Sequence, residues 1–177
     1  MSEIQYLSHE DRTIPFIESF PDEQPSASVL LIHGIFQHKN EDGRFSRLAQ
    51  HLKDEGFHSV RFDYAGHGGH SIEPESLTVA TALADIHKML QYLEDSEESS
   101  RVFVVATSFG ASLFLLYLRL LRNIAPQRIV LLNPVTDYDA TFVEPVEEDM
   151  KEIFTADKID KTYSTGSSEF LPEKGFT

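Results

Sequence analysis

Val102-Phe103-Val104-Val105-Ala106-Thr107-Ser108-Phe109-Gly110 opens with five consecutive apolar residues, the pattern of a strand buried on both faces of a parallel sheet. A helix-forming stretch from about Ala111 to Arg122 follows almost at once, so strand passes to helix through a very short turn. A turn this sharp needs small neighbours two positions either side of Ser108, which Ala106 and Gly110 supply, and it lifts the serine hydroxyl above the carboxyl edge of the sheet. It also places the backbone N–H of Phe109 at a helix N-terminus, where it can stabilise a developing oxyanion. The plainer alternative is that Ser108 is an ordinary helix N-cap.

The same alternation extends in both directions. Ser28-Val29-Leu30-Leu31-Ile32 carries a second continuous apolar run and predicts a central strand. After the loop His33 to Gly43, Phe45, Leu48, Ala49 and Leu52 recur at helical spacing up to Gly56. Ser59-Val60-Arg61-Phe62-Asp63 predicts the next strand, closed by the glycine-rich turn Ala65-Gly66-His67-Gly68-Gly69. Leu77 to Leu93 reads as an amphipathic helix whose apolar face carries Val79, Leu83, Ile86, Leu90 and Leu93, with Asp85 and Lys88 directed elsewhere. The acidic run Glu94-Asp95-Ser96-Glu97-Glu98 is its solvated exit. Ile129-Val130-Leu131-Leu132 is a further strand of the buried type, ended by Asn133-Pro134. Thr13 to Phe20 adds one N-terminal strand near a sheet edge, closed by Pro21 to Pro25. Strand–helix alternation of this kind predicts an α/β fold with a mostly parallel sheet and right-handed crossovers.

The chain has 177 residues, enough for one folding unit over residues 1–136 and an appended segment over 137–177. That segment holds 11 carboxylates and 4 lysines, half of the net charge of −14. Its apolar residues are sparse, Tyr163 to Ser168 looks like loop, and it reads as an acidic lid-like or mobile region. The acidity excludes a sequence-independent grip on nucleic acid. No apolar run approaches the ~20 residues of a membrane span. Without cysteine there is no thiol nucleophile or thiolate metal site, and a cytoplasmic location is expected. His67-x-x-His70 lacks both helical i, i+4 spacing and a ligating cysteine, so no metal is expected. Gly66 to Gly69 fails the G-x-G-x-x-G spacing and no Gly-Lys-Ser/Thr occurs, so no nucleotide cofactor is expected either.

His33-Gly34-Ile35-Phe36, directly after the central strand, is where a second oxyanion donor has to arise. The backbone N–H of Ile35 is the best placed, followed by Phe36. His33, Gly34 and Phe36 are assigned to the substrate side.

In this order the motifs resemble the α/β-hydrolase superfamily over roughly residues 13 to 136. Leu31-Ile32-His33-Gly34 looks like its oxyanion strand and loop, Asp63-Tyr64-Ala65-Gly66-His67-Gly68 resembles its D-x-x-G-x-G turn, and Ala106 to Gly110 is similar to its G-x-S-x-G nucleophile elbow. The closest flavour is that of serine carboxylesterases of the feruloyl/cinnamoyl type, related to monoacylglycerol lipases and acyl thioesterases. The resemblance implies a small-molecule acyl ester or thioester as substrate and Ser108 as nucleophile, with the N–H groups of Ile35 and Phe109 as oxyanion hole and no cofactor. Asp137, after the strand that follows the elbow, stands where some members carry the catalytic acid; an Asx turn is the ordinary alternative.

Two departures from the family pattern stand out. Ala106 replaces the first elbow glycine. More severely, the family orders its triad serine, acid, histidine, whereas all eight histidines here precede Ser108, the last being His87. Nor are two apolar runs left to make the strands that carry acid and base, so Ile129 to Leu132 is left as an exposed apolar edge open to self-association or a partner chain. The chain therefore reads as the N-terminal portion of a serine hydrolase, inactive or very weak alone. The alternatives are a non-catalytic binding module with a hydrolase-like sheet and one half of a split hydrolase.

Overall fold

The computed structural model describes residues 3–96, 100–121 and 124–165. Among them, six strands are joined in one sheet: β1 (Gln5–His9), β2 (Arg12–Ser19), β3 (Ser28–Ile32), β4 (His58–Phe62), β5 (Val102–Thr107) and β6 (Arg128–Leu132). Their spatial order is β1-β2-β4-β3-β5-β6. β4, β3, β5 and β6 run parallel, and β1 and β2 are antiparallel additions at one side. This is the expected α/β sheet, mostly parallel with flanking helices.

The helices α1 (Arg44–Asp54), α2 (Val79–Asp95) and α3 (Ser108–Leu120) are the crossovers. Alternation along β3 divides the core: Val29 and Leu31 pack with Phe45 and Ala49 of α1, while Leu30 and Ile32 point to the opposite face. There Ile86, Met89, Leu90 and Leu93 of α2 and Leu113, Phe114 and Tyr117 of α3 are buried. Each such side chain contributes about 1.5–3 kcal/mol by leaving water, so the sheet edge that bears the site rests on a well-filled core. α2 starts on a reciprocal cap in which Thr78 and Thr81 satisfy each other's backbone N–H groups.

Several local expectations change. The N-terminal region is a hairpin rather than one strand, turning at Glu10 with φ of 55°; β1 mixes polar and apolar residues and lacks a strand signature. Asp85 does not point outward but is fully buried. The buried pattern of β6 is not matched by burial, because Ile129, Val130 and Leu132 are 40–49% exposed at the sheet edge. Arg122, Glu97, Glu98 and the residues from Gly166 onward lie outside the described residues.

The chain divides into two compact units, Met1–Pro134 and Val135–Thr177. The second is not loop throughout: α4 (Glu148–Ile153) and α5 (Ala156–Thr165) are helical, so Tyr163, Ser164 and Thr165 are helical too. Phe142 stacks edge-on with Phe154 at 5.2 Å and meets Tyr138 at 5.7 Å, a small aromatic cluster of its own.

Candidate active site

β5 hands over to α3 at Thr107 and Ser108. Thr107 is the N-cap of α3, extended at φ −117°, with its side chain not used for capping. Ser108 begins the helix at φ 47°, in the left-handed region that costs a non-glycine residue about 1 kcal/mol or more. A capping serine has extended backbone angles, so Ser108 is not the cap. The turn sets the half-buried Ser108 at the carboxyl edge of the sheet. Gly110 is required by this geometry, since a Cβ there would stand 2.1 Å from the His33 carbonyl oxygen.

Ser108 lines a cavity of about 550 Å³ together with Gly34, Ile35, Gln37, Glu41, Arg44, Phe45, Leu48, Thr107, Leu132 and Asn133. The loop after β3 forms one wall. Among the described residues, the Ile35 N–H has no acceptor, whereas the neighbouring Gly34 N–H donates to Glu41 Oε2 at 2.9 Å. Phe109 follows Ser108 in the first turn of α3.

Glu41 was not legible as a site residue in the sequence, yet it is 3% exposed. Its Oε1 accepts from Thr107 Oγ1 at 3.1 Å and from Arg44 Nη2 at 3.2 Å. Its backbone, with those of Asp42 and Gly43, forms three successive positive-φ residues of 47°, 51° and 81°. Left-handed residues ordinarily occur singly because of the Cβ clash. No local signal marked Glu41, since Asn40-Glu41-Asp42 has the composition of a solvated turn.

The loop after β3 is tied to the turn after β4. Lys39 reaches Asp63 through its backbone N–H (2.6 Å) and its ammonium (2.5 Å), and Asp63 Oδ2 also accepts the Gly69 N–H at 2.9 Å. His33 stacks on Tyr64 with ring centroids 4.1 Å apart and lies 5.0 Å from His67. Burial drives the His33 pKa well below the usual imidazole value and that of His67 down to about 4. Both rings are thus neutral near pH 7. The His33 Nδ1–H donates to the Gly34 carbonyl at 2.8 Å.

Of the residues the sequence singled out, Ser108, Ile35 and Gly34 meet at the cavity. His33, expected on the substrate side, is fully buried and is not among the lining residues. Phe36 (φ 62°) and Phe109 contribute no side chain to the cavity lining. Asp137 belongs to the second unit, where its carboxylate accepts the Ala140 N–H at 3.0 Å, the Asx turn weighed against a catalytic part. No histidine lines the cavity. Among the described residues there is no cluster of three metal-ligating side chains and no helix long and apolar enough to cross a membrane.

Residues 23–165 match the family described as serine aminopeptidase, S33. No curated protein matches the chain. Among solved structures, Est1E from Butyrivibrio proteoclasticus with ferulic acid bound is similar at a TM-score of 0.70 and 19% identity, covering 84% of this chain and 61% of that one. A putative hydrolase from Agrobacterium vitis S4 is similar at 0.71 and 17% identity, covering 99% of this chain and 71% of that one. The thioesterase domain from the curacin biosynthetic pathway is 27% identical at 0.57, covering 69% and 41%. The chain thus spans about three fifths of the Est1E length. With its sheet order, its strained serine turn and this match over most of its length, the chain belongs to the serine aminopeptidase S33 family of the α/β-hydrolase superfamily.

Proposed function

We propose that this chain carries the nucleophile and oxyanion hole of a serine hydrolase that cleaves a carboxylic ester or thioester through an acyl-enzyme on Ser108. The observation that carries the reading is the left-handed Ser108 at the strand–helix junction, opening onto a cavity bordered by an acceptor-less Ile35 N–H. In the proposed step, Ser108 Oγ attacks the acyl carbonyl and loses its proton to a base. The oxyanion is held by the Ile35 and Phe109 N–H groups, each worth about 3 kcal/mol of barrier. The alcohol or thiol departs with a proton, and water then hydrolyses the acyl-serine.

The base is not among the residues lining the cavity, and the buried His33 and His67 disfavour the protonated form that a base must adopt. In this reading the acid and base come from further chain in the same protein or from a second chain, and these 177 residues alone react slowly. Asp137 is a weaker candidate for the acid. The exposed apolar edge of β6 is where such chain, or a second copy, would pair. A cytoplasmic setting fits a cysteine-free acidic protein.

The test is intact mass spectrometry after a fluorophosphonate probe, with the adduct mapped by peptide sequencing and Ser108→Ala as control. One adduct on Ser108, absent from the variant, is expected. The second reading, a non-catalytic binding module with a hydrolase-like sheet, draws on the lack of an imidazole at the cavity. Wild-type protein that gains no adduct selects it.

A further inference from the structure

We propose that Glu41 is the positioning residue of the oxyanion hole, a brace that ties the loop after β3 to the nucleophile turn so that the Ile35 and Phe109 N–H groups face one point. The proposal rests on the reading of Ser108 as nucleophile. One carboxylate oxygen of Glu41 takes the Gly34 N–H at 2.9 Å and the other takes the Thr107 hydroxyl at 3.1 Å. Gly34 precedes one proposed donor and Thr107 precedes the serine whose neighbour supplies the other.

Three features distinguish a brace from a group that meets substrate. First, both oxygens are occupied by donors of the chain itself, with Arg44 Nη2 as the third at 3.2 Å, so the carboxylate has no call for a substrate cation. Second, the Gly34 N–H is spent on Glu41, whereas the next one, on Ile35, has no acceptor among the described residues. Third, the left-handed run Glu41-Asp42-Gly43 is a backbone arrangement that must be held by its surroundings. A buried carboxylate on two backbone segments is also a rigid connection, because loss of either bond leaves an acceptor or donor unsatisfied away from water.

The test uses the 177-residue chain with Glu41→Ala and Glu41→Gln. Two quantities are read: amide hydrogen exchange by mass spectrometry over residues 33–36 and 107–110, and the rate constant for acetylation of Ser108 by p-nitrophenyl acetate. The second is followed by intact mass as a function of ester concentration. With Glu41→Ala, exchange in both segments is expected to rise at least tenfold while that of β3 and β5 is unchanged. The limiting acetylation rate falls about 10²-fold with little change in the half-saturating concentration, as loss of one oxyanion donor does. Glu41→Gln keeps the shape and one carbonyl acceptor, loosens the segments less, and serves if the alanine variant does not fold. Unchanged exchange, or looser segments with undiminished acetylation, overturns the brace. Wild-type protein that is not acetylated at Ser108 overturns the nucleophile reading, and the catalytic role of Glu41 with it. That outcome is told apart from failure of the brace alone, in which wild-type acetylation persists.

Discussion

The loop after β3 and the turn after β4 leave the same edge of the sheet, and each is organised by buried carboxylates, yet they are finished differently. In the turn after β4, Asp63 binds Lys39 twice and Gly69 once, and Asp85 on α2 accepts the Ala65 N–H at 2.9 Å. Gly66, His67 and His70 donate their N–H groups within the same turn. Asp85 also meets Arg12 Nε at 3.1 Å and His70 Nε2 at 3.2 Å. In the loop after β3, Glu41 takes up Gly34 but the Ile35 N–H is left open at a cavity. The turn after β4 thus commits most of its backbone donors to named partners while burying the Tyr64 hydroxyl and the His70 Nε2 without a hydrogen bond, and the loop after β3 holds its open donor at a cavity wall. On the reading of Ser108 as nucleophile, the loop after β3 is assigned to the site and the turn after β4 to support, although both carry glycine and histidine.

The strongest challenge to that division is Asp85→Ala. It removes the buried partner of Arg12 and the acceptor of Ala65, and a loss of about 3–5 kcal/mol in unfolding free energy is expected from urea denaturation. A loss under about 1 kcal/mol would mean that the turn after β4 does not support the sheet edge.

Acidification probes the same turn. His67 titrates near 4 in the folded protein against 6.5 unfolded, chiefly through burial, with His70 nearby acting in the same direction and Asp63 opposing. Between those values the unfolded chain binds more protons, so stability is full above pH 6.5 and falls as pH drops towards 4, by about 3 kcal/mol for this residue. Burial of His33 acts in the same direction. Urea midpoints at pH 7.5 and 4.5 measure the fall, and His67→Gln is expected to flatten it. An equally steep dependence in the variant would assign the fall to other groups.

Paired glycine substitutions sharpen the comparison at smaller cost. At Gly68 (φ 57°) an added Cβ lies 2.3 Å from Asp63 Oδ2, whose carboxylate is held by its own bonds and cannot yield. Gly68→Ala is expected to cost about 2–3 kcal/mol. At Gly34 the nearest atom is the Ser108 Cβ at 3.2 Å and φ is not positive, so Gly34→Ala costs less than about 1 kcal/mol. It crowds the serine, and slower acetylation of Ser108 is the effect to look for. Equal losses of stability at the two glycines would erase the distinction between support and site.

Much of this was readable along the chain because the signals are local. β3 and β5 are short apolar runs that match their strands to within a residue, since a strand covered on both faces has no polar side to blur its ends; β4 matches as closely although it carries His58, Ser59 and Arg61. The serine turn is equally local, because small residues either side of Ser108 are a steric condition of the backbone there. Asp85 and Glu41 were unreadable for the opposite reason. Each stands among polar neighbours, and what buries it comes from elsewhere: Arg12 lies 73 residues from Asp85, and Thr107 lies 66 residues from Glu41. The helices after Val135 were missed because their apolar residues are few and the aromatic cluster of Tyr138, Phe142 and Phe154 is spread across turns.

By itself the sequence determined the α/β alternation, the serine at a sharp strand–helix junction, the glycine-rich turn after β4 and the order in which every histidine precedes Ser108. These are properties of periodicity, residue size and covalent order, and they survive without coordinates. The tertiary structure alone decided which polar groups are buried: Glu41 beside the serine, Asp85 beneath the turn, and His33 in the interior rather than in the cavity lining. The physical reason is that a carboxylate or imidazole leaves water only where donors or rings from distant segments replace its hydration, and those partners exist only once the sheet has brought its strand ends together.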